Sequence, residues 1–451
     1  MPLQNVFARF FGSHYTLFIV LTSNLSIFVN GMTMAWSSPV LVKLSMKDDN
    51  PLGKPITSQQ SDLIGSLLFF SAAAAPLLFM RSSEILGRKQ TIVLCLLPSL
   101  LGNGILVFAR RVELYYLARI LNGLTIGPVY GLVQSYLSEI IFSVKKRGPY
   151  LAINSPAIQA GILFAYIIGP YVPIAIFNAV IFFLTFLTVI LITYGCPESP
   201  YFVLKSKDKK ASLNILKQLD AKDVEKELMQ IEEDLLKETQ TSIFAVFKSK
   251  ENMKPFVMAT LLQGLQQFSG IGILMAYSQQ IFMSSSEILP SEQCSILVGI
   301  IQLLSATTST ITSKKFPRKS LLIVSLLGSG FFDLILGLYF FFAKSLIGFN
   351  WIPLVALVLF VIFYNSGLDP IPWIFLGEVF PSHLKSVGTS AVVIINWILF
   401  SISTFAFTKF DVYFLFLAYS VSCFLGVFYV KIFLTETKDK TLREIQMELE
   451  K

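Results

Sequence analysis

Apolar residues in this chain come in runs of about 20, the length at which a helix rising 1.5 Å per residue crosses the roughly 30 Å hydrocarbon core of a bilayer. Twelve such runs can be marked, near 15–41, 62–81, 91–109, 114–138, 150–170, 172–195, 256–282, 293–313, 320–343, 351–376, 387–408 and 412–434. Gly169-Pro170-Tyr171-Val172-Pro173 separates the fifth from the sixth, because Pro and Gly together break a helix. Charge is segregated to match: residues 158–195 carry none, while 205–254 are dense in it. Only 14% of the chain is charged and 54% is hydrophobic, against roughly 25% charged in a soluble domain. A bilayer imposes this segregation, since helices satisfy every backbone polar group internally. The expected fold is an all-α membrane protein of twelve spans. The first run is long and has no small-residue cleavage pattern after it, so it reads as a retained span.

An even count returns both termini to one side, and the Lys and Arg bias makes that side cytoplasmic. Arg81, Arg88, Lys89, Lys145, Lys146, Arg147, Lys314, Lys315, Arg318, Lys319, Lys385 and Lys438 lie with the termini. The opposite loops hold only Lys43, Lys47, Lys54, Arg110, Arg111, Lys344 and Lys409. This placement accounts for the net charge of +8 without a nucleic-acid partner, and the expected location is the plasma membrane.

The one long connection follows span six. It divides the chain into an N-terminal bundle (1–195), a linker (196–254), a C-terminal bundle (255–435) and a tail (436–451). Within the linker, Leu228, Ile231 and Leu235 recur at helical spacing among charges. That pattern describes an amphipathic helix on the cytoplasmic face, either a solvated linker or a gate element. Cys95, Cys196, Cys294 and Cys423 are scattered singly and read as packing residues. With His14 and His383 as the only histidines, no metal set, cofactor site or nucleophile with its base is expected, and the chain is not expected to be an enzyme.

The halves echo each other. Glu84-Ile85-Leu86-Gly87-Arg88-Lys89 after span two matches Lys314-Lys315-Phe316-Pro317-Arg318-Lys319 after span eight. Ser138-Glu139 followed by Lys146-Arg147 matches Gly377-Glu378 followed by Lys385, and Pro197-Glu198-Ser199 matches Thr435-Glu436-Thr437. Two parallel six-helix repeats are a known transporter architecture.

Side-chain amides and an aromatic platform suit a neutral ligand whose polar groups both donate and accept and which also has an apolar face. Gln266 and Gln267 lie about 100° apart around span seven, so at least one faces another helix; helix-packing glue is the alternative use. Gln302, Asn365 and Asn396 add amides in spans eight, ten and eleven. Trp373 follows Pro370 and Pro372, whose missing donors interrupt the helix and expose carbonyls to a cavity or a moving gate. An interfacial belt is the other use of Trp373. Asp369 and Asp333 are intramembrane carboxylates, functional by default.

Six motifs in order resemble the sugar porter family of the major facilitator superfamily. They are Gly87-Arg88-Lys89, Arg119 with Gly123, Pro197-Glu198-Ser199-Pro200, Gln266-Gln267-Phe268-Ser269-Gly270-Ile271, Pro370-Ile371-Pro372-Trp373 with Gly377-Glu378, and Glu436-Thr437-Lys438. The wording of Gly31-Met32-Thr33, Trp36-Ser37-Ser38-Pro39 and Gly161-Ile162-Leu163 is similar to insect facilitated trehalose and hexose transporters.

The resemblance implies a monomeric carrier of a small sugar, with two six-helix bundles working by alternating access. It implies that Arg88 and Arg147 pair with Glu84, Glu139 and Glu378, with Arg119, Glu198, Arg318, Lys385 and Glu436 completing a charge network that locks the cytoplasmic side. The C-terminal part of that lock is expected to be impaired, because Lys314, Pro317 and Lys385 replace the family's usual Asp, Gly and Arg. Gln302 stands for a family Asn. Gly272, Ser155 and Phe400 replace three family amides, which implies an amide-poor site whose cavity is enlarged at Gly272, with Gln302 and Phe400 taking part of that room back. Span one has no carboxylate opposite Arg119, which favours passive facilitation. Asp369, where the family has Gly, is expected to accept sugar hydroxyls, pair with Arg119, or protonate and couple transport. Asp333 is expected against a polar neighbour or near the end of its span. A proton-coupled symporter and a non-transporting sugar sensor are the competing classes.

Overall fold

The computed structural model describes residues 2–47, 50–79, 82–206, 208–219, 224–237, 250–283, 289–343, 348–380, 385–407, 409–438, 440, 444 and 448. The elements described are helical throughout. Span one runs Tyr15–Ala35 and continues after a kink as Ser37–Ser45; spans two to six are Ser58–Phe79, Arg88–Phe108, Val112–Ile140, Asn154–Ile168 and Ile174–Gly195. Span seven is Lys250–Gln267 broken before Ile271–Met283, and spans eight and nine are Ser291–Lys315 and Arg318–Phe341. Span ten is Ile352–Gly367 broken before Ile371–Val379, and Lys385–Ala406 and Val412–Ile432 complete the set.

Ten of these helices are apolar and long enough to cross a bilayer by composition alone. Spans two and four, at 22 and 29 residues, have the length but carry more polar groups. They pack against each other and bury Asp62, Ser66, Arg119, Asn122 and Thr125. Outside the bundle, Leu101, Phe108, Phe183, Leu425 and Phe428 stand exposed, as lipid-facing residues do.

Small residues let spans cross closely. A Cβ on Gly31 would strike the Ile158 carbonyl in span five, and one on Gly161 would strike the Phe28 carbonyl in span one. Gly123 and Gly127 in the same way admit the Leu68 and Ala72 carbonyls of span two.

Between the first six and last six spans, contact runs through spans two and eleven, five and eight, and one and seven. The linker helices Pro200–Lys205, Lys209–Gln218 and Val224–Lys237 pack on one another. Leu228 and Ile231 are buried against Leu216 and meet Phe142 and Tyr201, so the apolar stripe covers protein beside span four. An N-terminal helix, Pro2–Phe11, stacks Phe7 and Phe11 on Phe18 of span one. All four cysteines are buried.

Candidate substrate site and gates

The breaks in spans seven and ten meet. Pro372 cannot donate to Leu368, and that freed carbonyl accepts a hydrogen bond from Gln266 Nε2 at 2.7 Å, with the Asp369 carbonyl at 3.1 Å. Gln267 Nε2 donates to Asn396 Oδ1 of span eleven at 2.7 Å. Asn365 Nδ2 donates to Ser305 Oγ at 2.8 Å, one turn from Gln302 in span eight. The donors of the motif glutamines therefore tie helices together. Gln267 Oε1 and Asn365 Oδ1 are left as acceptors buried without a partner, and Gln302 keeps both its Nε2 donor and its Oε1 acceptor unpartnered.

More amides belong to this set than the motifs identify. Gln159 Oε1, Gln279 Oε1 and both amide atoms of Gln263 are also buried and unpartnered. Gln159 lies one turn from Ser155, and Gln263 one turn before Gln267. Helical spacing from the motif positions is the signal that points to them. The expectation of an amide-poor site is corrected accordingly. At Gly272 the room is taken back as expected of Phe400: a Cβ there would come within 3.1 Å of the Phe400 ring and 3.2 Å of Thr404 Oγ1. Phe400 fills that room and packs on Phe69 at 4.1 Å and on Trp397.

Asp369 sits at the break in span ten, facing the N-terminal half. The Ser155 hydroxyl of span five is within hydrogen-bonding reach of its carboxylate. The ring of Tyr130 in span four lies 5.8 Å from that of Trp373. Ser155, Asp369, Tyr130 and Trp373 all retain accessible surface among buried neighbours, as groups lining a cavity between the halves would.

The expected Asp369–Arg119 pair does not form. Arg119 is fully buried elsewhere, donating to the carbonyls of Ile64 and Thr33 at 2.9 Å each, with its guanidinium 5.0 Å from the Trp36 ring centroid. Backbone carbonyls of spans one and two replace the missing carboxylate, and Arg119 stands apart from the terminal-side charge network. Asp333 is likewise corrected: it lies mid-helix, wholly buried, with both carboxylate oxygens unpartnered. Asn103 occupies the matching place in span three and donates to Ser99 Oγ at 3.1 Å.

On the side bearing the termini, each half builds its own network. Arg88 Nε meets Glu139 Oε1 at 3.1 Å, and Ser199 Oγ donates to the same carboxylate. Arg318 Nη2 meets Glu378 Oε1 at 3.3 Å, and Arg318 also donates to the Ser313 carbonyl. Glu198 accepts the Lys89 and Ser199 N–H groups at 3.0 and 2.8 Å, and Glu436 accepts those of Arg318, Lys319 and Lys438 at 3.0 Å each. Both carboxylates thus cap a helix N-terminus, where anions are favoured. Gly87, at φ 97°, leaves the room that Glu198 occupies, and Pro317 reaches an equivalent cap with φ −58°. The expectation of an impaired C-terminal lock is therefore corrected. Glu84 and Arg147 are exposed, outside the network, and the Lys385 side chain lies outside the described residues.

Burial pushes the Glu198 carboxyl up, and the Ser199, Lys89, Gln90 and Arg88 N–H groups offset that only in part. At Glu436 burial also raises, but the N–H groups of Lys319, Lys438, Arg318 and Thr437 prevail and hold it below the ordinary value.

On the far side the halves close on each other. Lys409 Nζ lies 3.6 Å from the buried Asp62 carboxylate, and Tyr277 of span seven, stacked on Phe407 of its own half at 4.5 Å, sets its hydroxyl against Gly65 of span two, where a Cβ would strike it. Tyr166 Oη donates to the Met275 carbonyl at 3.1 Å, the Gln279 N–H donates to Ser38 Oγ at 3.1 Å, and Ser401 Oγ donates to the Ser66 carbonyl at 3.3 Å.

The fold has solved counterparts. The inward open xylose transporter XylE from E. coli superposes with a TM-score of 0.80 at 19% identity, covering 96% of this chain and 99% of that one. Its partially occluded inward open form gives 0.79 at 18% identity, covering 95% and 100%. Among sequence relatives, the facilitated trehalose transporter Tret1 of Polypedilum vanderplanki is 28% identical over 93% of this chain and 85% of its own. The solute carrier family 2, facilitated glucose transporter member 6 of Mus musculus is 30% identical over 92% and 87%. The family model described as "Sugar (and other) transporter" matches residues 16–449, nearly the whole chain, and this protein belongs to that family.

Proposed function

We propose that the chain carries a hexose or trehalose down its gradient by alternating access. The observation that carries this reading is the set of buried amide atoms without partners on spans five, seven, eight and ten. Leaving such an atom unmade costs about 1–3 kcal/mol, and a polyhydroxyl ligand with its waters supplies both donors and acceptors. The relatives named as trehalose and glucose facilitators support the substrate class and the passive mode. In this reading residues 1–195 and 255–435 rock against each other, the linker 196–254 and tail 436–451 stay cytoplasmic with both termini, and one chain suffices at the plasma membrane. Gln267, Gln302, Asn365 and Asp369 contact the sugar, while Gln266 and Asn396 hold the broken helices in place. Trp373 with Tyr130 forms the cytoplasmic gate.

Counterflow of labelled glucose, fructose, trehalose and polyols in proteoliposomes tests the proposal, with and without a proton gradient. Sugar entry that equilibrates and ignores the gradient is the expected result. A second reading, proton symport, is favoured by the accessible carboxylate of Asp369. It predicts gradient-driven accumulation that disappears in Asp369→Asn, and accumulation of that kind would sink the uniporter. Saturable binding without counterflow would instead mark a sensor.

A further inference from the structure

The helix Pro2–Phe11 has apolar residues on two faces, and one of those faces stands open. On the inner face Phe7 and Phe11 stack on Phe18 at 5.5 and 4.4 Å, and Phe7 lies against Gly195, the last residue of span six, where a Cβ would meet its ring at 3.7 Å. In a continuous helix Phe7 and Phe18 would stand about 16 Å apart along the axis. Gly12, at φ 47°, turns the chain between them, so the helix folds back along the ends of spans one and six. On the outer face Val6 and Phe10, one turn apart, are 59% and 81% exposed, and Arg9 is exposed beside them.

The surroundings of that open face have the chemistry of a bilayer boundary. Phe183, Phe186 and Tyr194 are exposed along one side of span six up to the residue before Gly195, and Tyr is favoured where a span leaves the membrane. The helix therefore lies at headgroup depth, continuous with the lipid-facing surface. Its charge is of one sign: residues 2–14 contain Arg9 and no Asp or Glu. Gln4 Nε2 donates to Gln218 Oε1 at 3.4 Å, which brings up the linker helix Lys209–Gln218, again without Asp or Glu, whose Lys210 and Lys217 are exposed two turns apart. Arg9 follows Gln4 by about 7.5 Å along its helix, and Lys217 is next to Gln218. Helices that lie in a membrane interface combine aromatic residues towards the acyl chains with Lys or Arg among the headgroups.

We propose that the Pro2–Phe11 helix and the end of the Lys209–Gln218 helix form a docking surface for anionic phospholipid of the leaflet on the terminal side. Val6 and Phe10 enter the acyl boundary, and Arg9 and Lys217 hold the anionic headgroups. A lipid bound there ties span one, span six and the linker to the membrane at one point, because the same helix touches all three. The inference rests on the membrane embedding of the chain and is independent of which sugar it carries.

Two measurements on the full-length protein test it. The four native cysteines are buried, so Val6→Cys takes a nitroxide label selectively. In phosphatidylcholine vesicles containing phosphatidylserine the label should be open to oxygen and shielded from an aqueous relaxation agent. A label open to the aqueous agent would overturn the proposal, and is the result expected if the face serves a soluble partner protein. Native mass spectrometry of the delipidated protein then compares the affinities of the two lipids. Phosphatidylserine should bind more tightly, Arg9→Gln and Lys217→Gln should each weaken it about fivefold with phosphatidylcholine unchanged, and Arg9→Lys should keep the wild-type preference. Equal affinities in the wild type, or a preference that survives in the double variant, would overturn the proposal.

Discussion

Gln302 shows what a single residue in this bundle is asked to do. Its amide is 1% exposed and none of its atoms has a partner, a state that weakens the folded protein unless something enters to complete it. Gln302→Met keeps the length of the side chain and removes the unmet groups. The variant should melt later, by about 1 kcal/mol of added stability, yet take up sugar at least about tenfold more slowly at low concentration. Thermal unfolding in detergent and initial uptake rates check the two effects separately; a variant that gains stability and keeps full uptake would place Gln302 outside the site. Asp369 and Gly272 carry the complementary lesson. Both were visible as departures from the family pattern. What each departure means depends on neighbours far away in sequence: Ser155 for one, and the Phe400 ring for the other.

At the scale of elements, the two helix caps respond to pH in opposite directions. Glu436 has its carboxyl held low in the folded protein, so its contribution is present above the unfolded value and is lost as pH falls through the folded one. Glu198 has its carboxyl raised, so the stability linked to it is present below the unfolded value and is lost as pH rises through the folded one. The melting difference between wild type and Glu436→Gln, about 1 kcal/mol near neutrality as for a lost cap, should therefore shrink between pH 7 and 4. The difference for Glu198→Gln should grow over the same range. Parallel pH profiles for the two variants would contradict this account. The pairing of the two positions was legible as an echo between Pro197-Glu198-Ser199 and Thr435-Glu436-Thr437, read from the sequence as part of a charge network and not as caps. The equivalence of the caps in the two halves was not legible, because Gly87 and Pro317 reach the same cap by different backbone angles.

At the scale of the whole molecule, an ion pair among the described residues joins the halves on the side away from the termini. Lys409 is partly exposed, while Asp62 is 2% exposed with one carboxylate oxygen unpartnered. Such a pair contributes up to about 1 kcal/mol, enough to shift a two-state ratio about fivefold. Lys409→Met should move the population towards the form open on that side, because Asp62 then regains its partner only from water. Labelling of a single cysteine placed at Ser38, beneath this closure, should speed up by about that factor relative to the same cysteine with Lys409 intact. Unchanged labelling would assign the closure to the neutral contacts between the halves, Tyr166 on the Met275 carbonyl and Gln279 on Ser38.

The sequence by itself determined the twelve spans, the broken tenth helix and the order of the motifs, while the break in span seven came only with the structure. Bilayer solvation acts on each segment separately and leaves its mark in composition: length, apolarity and the position of Pro and Gly are local quantities. Spans two and four, which bury Asp62 and Arg119, carry more polar groups than the rest because they face protein. Only the tertiary structure decided which polar groups remain free. Gln266 is consumed by the Leu368 carbonyl and Arg119 by those of Ile64 and Thr33, whereas Gln159, Gln263 and Gln302 are left open. Hydrogen-bond satisfaction belongs to pairs of helices, and a pair is formed only when the bundle packs.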